Sequence, residues 1–167
     1  MANYYTKTAQ HLKLDCEQSQ LALDIYNCMK LESLDFKKPF EENDCSYSKE
    51  VFDYASTLVL LNDADRYAPG EVTSYFLLNL AVDGLLISSD EYIDIDVAAA
   101  FIQILLKHFS IEDYVYLDVA HTCSSDEPDA FGGSAVFITA TEIKHICTNA
   151  WIGECINAFK LQKEGGA

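Results

Sequence analysis

Apolar residues recur every three or four positions in five stretches of this chain, which is the spacing of an amphipathic or buried helix. The predicted helices cover residues 8–31, 48–62, 71–87, 90–108 and 139–159. Ser48 is a suitable N-cap for the second helix, and Thr139 with Glu142 matches a capping box at the start of the last one. Pro69-Gly70 predicts a turn before the third helix.

The period changes to two after Tyr114, where apolar residues at 115, 117 and 119 predict a half-buried strand. A second strand is predicted over 135–139, and Gly132-Gly133 in the intervening segment favours a hairpin with a long acidic tip. The pattern thus predicts an α+β fold: a mostly helical single domain of about five helices, with a C-terminal antiparallel β hairpin followed by a closing helix. Residues 1–167 form one globular domain in this interpretation, and residues 161–167 a flexible tail.

Acidic residues are concentrated in the middle of the chain. Residues 41–129 contain nineteen acids and three bases, so this stretch carries the whole formal net charge of −16. Such a field attracts basic partners and repels nucleic acid and anionic membranes. Arg66 is the one arginine of the chain, so the bidentate phosphate clamps of most nucleotide and nucleic-acid sites are missing. We therefore expect no direct binding of nucleic acid, no nucleotide hydrolysis and no kinase activity.

The cellular setting predicted from the sequence is the cytoplasm. The chain begins without a basic region followed by an apolar run, and its most apolar windows are too short or too interrupted to cross a bilayer. Six cysteines could form three disulfides, but most fall inside apolar helical patterns. We expect free, buried thiols and no contact with a membrane.

Two His-x-Cys motifs are the strongest candidates for a metal or catalytic site: His121 with Cys123 and His145 with Cys147. Two imidazoles and two thiolates suit tetrahedral zinc, but residues two apart diverge on the helix predicted for the second pair, so we expect neither a metal nor another cofactor. A small hydrolase or transferase is an alternative, with Cys123 as nucleophile, His121 as base and Asp118 as the orienting group.

The acids also suggest a surface for a protein partner. The cluster at Asp90, Glu91, Asp94 and Asp96 lacks the twelve-residue pattern of a calcium loop and is explained by helix capping or by a solvated face. Tyrosines interleaved with acids suit a partner rich in arginine and lysine. The predicted partner-binding residues are Asp83, Asp90, Glu91, Tyr92, Asp94, Asp96, Glu112, Asp113, Tyr116, Asp118, Asp126, Glu127 and Asp129.

The segment Ala130-Phe131-Gly132-Gly133-Ser134-Ala135-Val136-Phe137-Ile138-Thr139, preceded by Ala120-His121-Thr122-Cys123-Ser124, resembles a hairpin of uncharacterised proteins from phages and mobile elements. The resemblance covers about a fifth of the chain and transfers no catalytic role. It implies a bacteriophage or an integrated element as the genomic setting. Small acidic proteins of such elements often act as inhibitors, so the analogy adds a functional expectation to the charge pattern.

The leading prediction is a noncatalytic, acidic protein-binding inhibitor. It would act as a nucleic-acid mimic against a host nucleic-acid-handling or defence protein, of the anti-restriction or anti-CRISPR type, and its partner would present a basic surface. A toxin-neutralising immunity protein would use the same acidic surface against a basic toxin. The hydrolase or transferase stays as the enzymatic alternative, and the pattern specifies no oligomeric state.

Overall fold

An antiparallel sheet, with helices packed beside it, forms the framework of this protein. The computed structural model describes residues 4–62, 76–124 and 131–164. Helices account for 42% and strands for 30% of these residues. The elements in chain order are β1 (Tyr4–Lys13), α1 (Cys16–Met29), a 3-10 turn (Phe40–Glu42), α2 (Lys49–Asn62), β2 (Leu77–Ala81), β3 (Gly84–Ser89), α3 (Ile95–His108), β4 (Val115–Cys123), β5 (Gly132–Ile138), β6 (Ile143–Cys147) and α4 (Thr148–Glu164).

The six strands lie in the order β2-β3-β1-β4-β5-β6, and neighbouring strands are antiparallel. The first strand is central and changes partner along its length. Its first half pairs with β4, from Tyr4 opposite Cys123 to Lys7 opposite Ala120, and its second half pairs with β3, beginning with Thr8 opposite Ser89. Because β3 and β4 both run antiparallel to β1, their C-terminal ends meet at the same end of the sheet.

One face of the sheet joins α1, α2 and α3 in a single hydrophobic core. Alternate residues of β4, Leu117 and Val119, point into this core, and α3 contributes seven buried side chains. Phe101 of α3 lies 5.2 Å from Phe76, measured between ring centroids. The hydroxyl of Tyr26 in α1 donates a 2.9 Å hydrogen bond to the Phe76 carbonyl, so the polar end of this buried ring is satisfied.

The prediction of a mostly helical domain with a single hairpin is wrong. In the described residues there are four α helices and a six-stranded antiparallel sheet, so the helices do not dominate. The predicted helix 8–31 is β1 followed by α1, separated at Leu14 and Asp15. Its first part is a strand because it pairs with β3 on one side and β4 on the other. The Thr8 hydroxyl adds a 2.7 Å hydrogen bond to the Asp118 carbonyl of β4.

The predicted third helix, 71–87, is also wrong where the structure describes it, because β2 and β3 form a hairpin there. The chain turns at Val82-Asp83, and Gly84 follows at φ +142°. A Cβ at Gly84 would lie 1.9 Å from the Leu12 carbonyl oxygen, so the strand can approach β1 only with glycine at this position. Asp83-Gly84 is a hairpin signal that the apolar run concealed. The Pro69-Gly70 turn lies outside the described residues.

The last predicted helix begins too early. The Thr139 hydroxyl does accept from the backbone N–H of Glu142, at 3.0 Å, as a capping residue would. The N–H of Thr139 in turn donates to the Glu142 carbonyl at 2.8 Å, so the segment closes a tight turn between β5 and β6. The helix α4 begins nine residues later, at Thr148, and extends to Glu164. Of the predicted tail, residues 165–167 lie outside the described residues.

Three local predictions are confirmed. Helix α2 follows Ser48, whose hydroxyl accepts a 3.2 Å hydrogen bond from the N–H of Val51. Helix α3 falls within the predicted range 90–108, and β4 pairs with β5 as the predicted hairpin. No disulfide links the six cysteines, all of which the structure describes, although Cys28 alone is fully buried.

Candidate functional site

Four acidic residues fall within the seven positions 90–96, where β3 leads into α3. We call Asp90, Glu91, Asp94 and Asp96 the acidic corner. Asp94 is the N-cap of α3, and its Oδ1 accepts hydrogen bonds of 3.1 Å from the N–H groups of Asp96 and Val97. Carboxylates suit this position because the first N–H groups of a helix are unpaired and its dipole is positive there.

The backbone of the acidic corner is held by β1. The N–H of Thr6 donates to the Glu91 carbonyl at 2.8 Å, and the hydroxyl of Thr6 accepts from the N–H of Ile93 at 3.1 Å. The Ser89 hydroxyl donates to the Tyr92 carbonyl within the same bend. These bonds fix the loop to the sheet, so its carboxylates are displayed from a rigid support.

The charges of the acidic corner are largely uncompensated. Asp90, Glu91 and Asp96 are exposed and Asp94 is half-buried. The described ion pairs of Lys38, Lys49 and Lys144 are all with carboxylates outside the corner. The imidazole of His145 is close to the corner, with its Nε2 3.8 Å from Oδ1 of Asp96. The corner therefore presents a concentrated negative field to solvent.

Beside this corner, between the segment 92–96 and strands β4, β5 and β6, is a cleft of about 480 Å³, which we call the histidine cleft. His121, Ser134, His145 and Cys147 line it because strand register places them on one face of the sheet. Nε2 of His121 lies 3.0 Å from the Ser134 hydroxyl oxygen, within hydrogen-bond distance. A nucleophile and a base at this separation are the minimum arrangement for acyl transfer.

The predicted catalytic set is not assembled. Asp118 is three residues from His121 on β4, so the two side chains point to opposite faces of the sheet. Asp118 instead lines a hollow of about 720 Å³ on the face away from the helices, whose floor includes Ala120, Gly133 and Ala135. Cys123 shares a face with His121. The orienting role proposed for Asp118 is therefore excluded by geometry.

The argument against zinc also changes. His145 and Cys147 lie on a strand rather than on a helix, so both point to the face that carries His121. Even so, no group of three histidine, cysteine, aspartate or glutamate residues in the described part of the chain is arranged to hold a metal ion.

The other predicted partner-binding acids are spread over the molecule. Asp83 lies in the β2–β3 turn, at the opposite end of β3 from the acidic corner, and its Oδ1 is 3.0 Å from Nε2 of His11. Glu112 and Asp113 precede β4 at that same far end, and both are exposed. Tyr116 is half-exposed on β4. The predicted residues Asp126, Glu127 and Asp129 lie outside the described residues. Within what is described, the acidic corner is thus the densest group.

Sequence reasoning missed the exposed apolar residues of α4. Trp151, Ile152 and Ile156 are 57%, 47% and 47% exposed, although their spacing resembles that of a core helix. The unbroken apolar spacing after β6 was visible in the sequence, but nothing in it indicated which side of the helix would be covered.

Comparison with protein-family models, with curated proteins and with solved structures gives no match to this chain. The fold and the charges therefore define its class: an acidic α+β protein built on a six-stranded antiparallel sheet. Among the described helices, none combines the length and the apolar character that a membrane span requires.

Proposed function

We propose that this protein is a noncatalytic, acidic protein-binding inhibitor that occupies the basic groove of a nucleic-acid-handling protein, as a nucleic-acid mimic does. The observation that carries the proposal is the acidic corner: four carboxylates within seven residues, on a backbone tied to the sheet by hydrogen bonds from Thr6 and Ile93. Carboxylates held in this way can take the place of phosphates in a groove lined by arginine and lysine.

The charge balance of the whole chain supports the same function. A net charge of −16 accelerates encounter with a basic partner and disfavours binding to nucleic acid itself. The setting would be the cytoplasm of a bacterial host, with a restriction or CRISPR-type defence protein as the target. Because the attraction acts between exposed charges, binding should weaken steeply as salt rises.

The test is a pull-down from bacterial lysate with the tagged protein at roughly 0.1 and 0.5 M salt, followed by mass spectrometry. We expect one nucleic-acid-binding protein to be retained at low salt and lost at high salt. A corner variant, Asp90→Asn with Glu91→Gln, Asp94→Asn and Asp96→Asn, should lose that protein. Asparagine at position 94 preserves the N-cap, so the helix is maintained.

A matched control removes four exposed carboxylates elsewhere: Glu17→Gln, Glu32→Gln, Glu42→Gln and Asp44→Asn. It changes the net charge by the same amount but leaves the acidic corner intact. Equal loss of binding in both variants would mean that net charge, rather than the corner, attracts the partner. Absence of a specific partner at either salt would contradict the proposal in that host.

A toxin-neutralising immunity protein would use the same corner, and the partner recovered would then be a basic toxin rather than a nucleic-acid-binding protein.

A hydrolase or transferase is favoured by one observation, the 3.0 Å separation of His121 Nε2 and Ser134 Oγ. Its test is a triple variant, His121→Ala with Cys123→Ala and Ser134→Ala. If inhibition of the partner is unchanged, the histidine cleft has no part in the function.

A further inference from the structure

Helix α4 is exposed on all sides, which is unusual for a helix of this composition. From Thr148 to Ala158 every residue is exposed except Gly153, which is half-buried. Its packing contacts are with β5 and β6, at the edge of the sheet. At the helix start, the Thr148 hydroxyl bonds both the N–H and the carbonyl of Gly133, at 3.0 and 3.1 Å, which anchors the first turn.

Large apolar side chains project from this helix and from the end of β6. We call Ile146, Trp151, Ile152 and Ile156 the α4 patch; their exposed fractions run from 47% to 57%. Trp151, Ile152 and Ile156 lie on one side of the helix, because residues one, four and five apart fall within about half a turn. A stripe of this kind is the usual packing surface of a helix.

The α4 patch has the size of an interface. Four half-exposed apolar side chains offer roughly 400 Å² of apolar surface. The largest patch on a typical monomer is about 300–600 Å² and often functional, and a specific interface buries about 800 Å² per partner once its polar rim is included. The patch can therefore form the apolar centre of a small interface.

Charge decides which partner suits this surface. Residues 143–164 contain three lysines and two glutamates, in a chain whose net charge is −16. A basic partner gains no electrostatic attraction from these residues, and it would bind residues 41–129, which carry the net negative charge. For two copies of this chain, which repel each other over most of their surface, the α4 patch offers apolar surface on a segment that carries almost no net charge of its own.

We propose that a second copy of this chain covers the α4 patch, so that the protein forms a twofold-symmetric dimer through two α4 helices. The two surfaces, the α4 patch and the acidic corner, respond to salt in opposite directions. Salt screens the repulsion between two acidic copies and strengthens the dimer, whereas it weakens binding of a basic partner at the corner.

The test is sedimentation velocity of the full chain from about 1 to 100 μM at roughly 0.05 and 0.5 M salt. We expect a monomer–dimer equilibrium that shifts towards dimer at high salt. The variant Ile152→Gln with Ile156→Gln keeps the charge and the helix propensity and should weaken association by more than about tenfold. A circular-dichroism melt of each variant verifies that the monomer is folded.

The matched control is Leu77→Gln with Leu80→Gln on β2, where the two leucines are 45% and 73% exposed at the opposite edge of the sheet. It removes similar apolar surface and should leave association unchanged. Monomer at every concentration and salt would overturn the proposal. So would a dimer that the β2 variant weakens and the α4 variant does not.

A second measurement uses the cysteines as probes. Cys155 lies within the apolar side of α4, and Cys16 lies at the start of α1; both are exposed in the single chain. Dimer formation should slow alkylation of Cys155 as protein concentration rises, while the rate at Cys16 stays constant. Equal rates at all concentrations, in samples that sediment as dimer, would place the interface elsewhere. Loss of the dimer in the α4 variant with the pull-down intact separates this inference from the proposed function.

Discussion

Helices α3 and α4 are both rich in apolar residues and both begin at the same end of the sheet, yet they have opposite environments. In α3 the apolar side chains fill the core: Val97, Phe101 and Leu105 are at most 2% exposed. In α4, Trp151 and Ile156 are about half exposed. An apolar stripe therefore predicts which side of a helix will be buried in a contact, but not whether the covering surface belongs to the same chain.

The largest effect should come from removing an aromatic ring on each helix. Phe101→Ala should lower the free energy of unfolding by about 3–5 kcal/mol, because the ring is fully buried and leaves a cavity. Trp151→Ala should change it by less than about 0.5 kcal/mol when measured on dilute monomer in urea. Similar losses for both variants would mean that α4 packs within the chain and would remove the contrast between the helices.

The next largest effect is a loss of stability at high pH, caused by the buried thiol of Cys28. Burial, together with the neighbouring Cys45, raises the pKa of Cys28 in α1 from 9.0 to about 12. The folded protein then holds a proton that the unfolded chain releases above pH 9, so stability from this group is complete below pH 9 and is lost as pH rises towards 12. We expect a slope of up to about 1.4 kcal/mol per pH unit in that window.

Urea unfolding between pH 8 and 11 measures this slope, which Cys28→Ala should reduce. An unchanged slope would mean that other groups, such as the tyrosines whose pKa is also raised by burial, Tyr47 and Tyr54, dominate the alkaline loss. Alkylation gives a direct comparison with α4. Exposed Cys155 should react readily and Cys28 should not, since Cys28 is buried and forms little thiolate.

A smaller effect concerns the cap that anchors α3. Asp94→Ala removes the acceptor for two backbone N–H groups and should cost about 1 kcal/mol. Asp94→Asn should cost much less, because the amide oxygen can accept the same bonds. Thermal melts of the two variants give the comparison. If asparagine is as harmful as alanine, the charge of Asp94 matters more than its hydrogen bonds.

The smallest effect is a gain in stability from a substitution in α4. Gly153 of α4 has open space where a Cβ would lie, so Gly153→Ala should stabilise the helix by about 0.5–1 kcal/mol. The same change at Gly84 would collide with the β1 backbone and should be strongly destabilising. Guanidinium unfolding of both variants checks the signs. A destabilising Gly153→Ala would show that a neighbour, such as the partner copy, approaches α4 at this glycine.

Sequence patterns succeeded where local interactions decide the structure. Ser48 and Asp94 cap their helices through bonds within three residues, and the alternation of β4 is visible residue by residue. They failed at β1 and β6, where local signals were ambiguous or misleading. The Thr139–Glu142 pattern is the clearest case, because a helix cap and a tight turn use the same hydroxyl-to-N–H bond.

The candidate site was half predictable. The acids of the corner and the histidines of the cleft were identified from composition and spacing, but Ser134 was missed, and Asp118 was assigned an orienting role towards His121 although the two side chains point to opposite faces of β4. Ser134 meets His121 through the register of β4 with β5, in which Ser134 lies opposite Val119. The spacing of residues along one strand cannot predict a contact between side chains on two different strands.

The sequence by itself determined the segregation of charge, the helices α2 and α3 and the β4–β5 hairpin, because each depends on neighbours along the chain. Only the tertiary structure decided that β1 is a central strand, with Thr8 opposite Ser89 and Tyr4 opposite Cys123. It likewise decided that α3 is covered and α4 is not. A strand needs partners from distant segments, and burial depends on what the rest of the fold leaves uncovered, so neither is encoded in a local period.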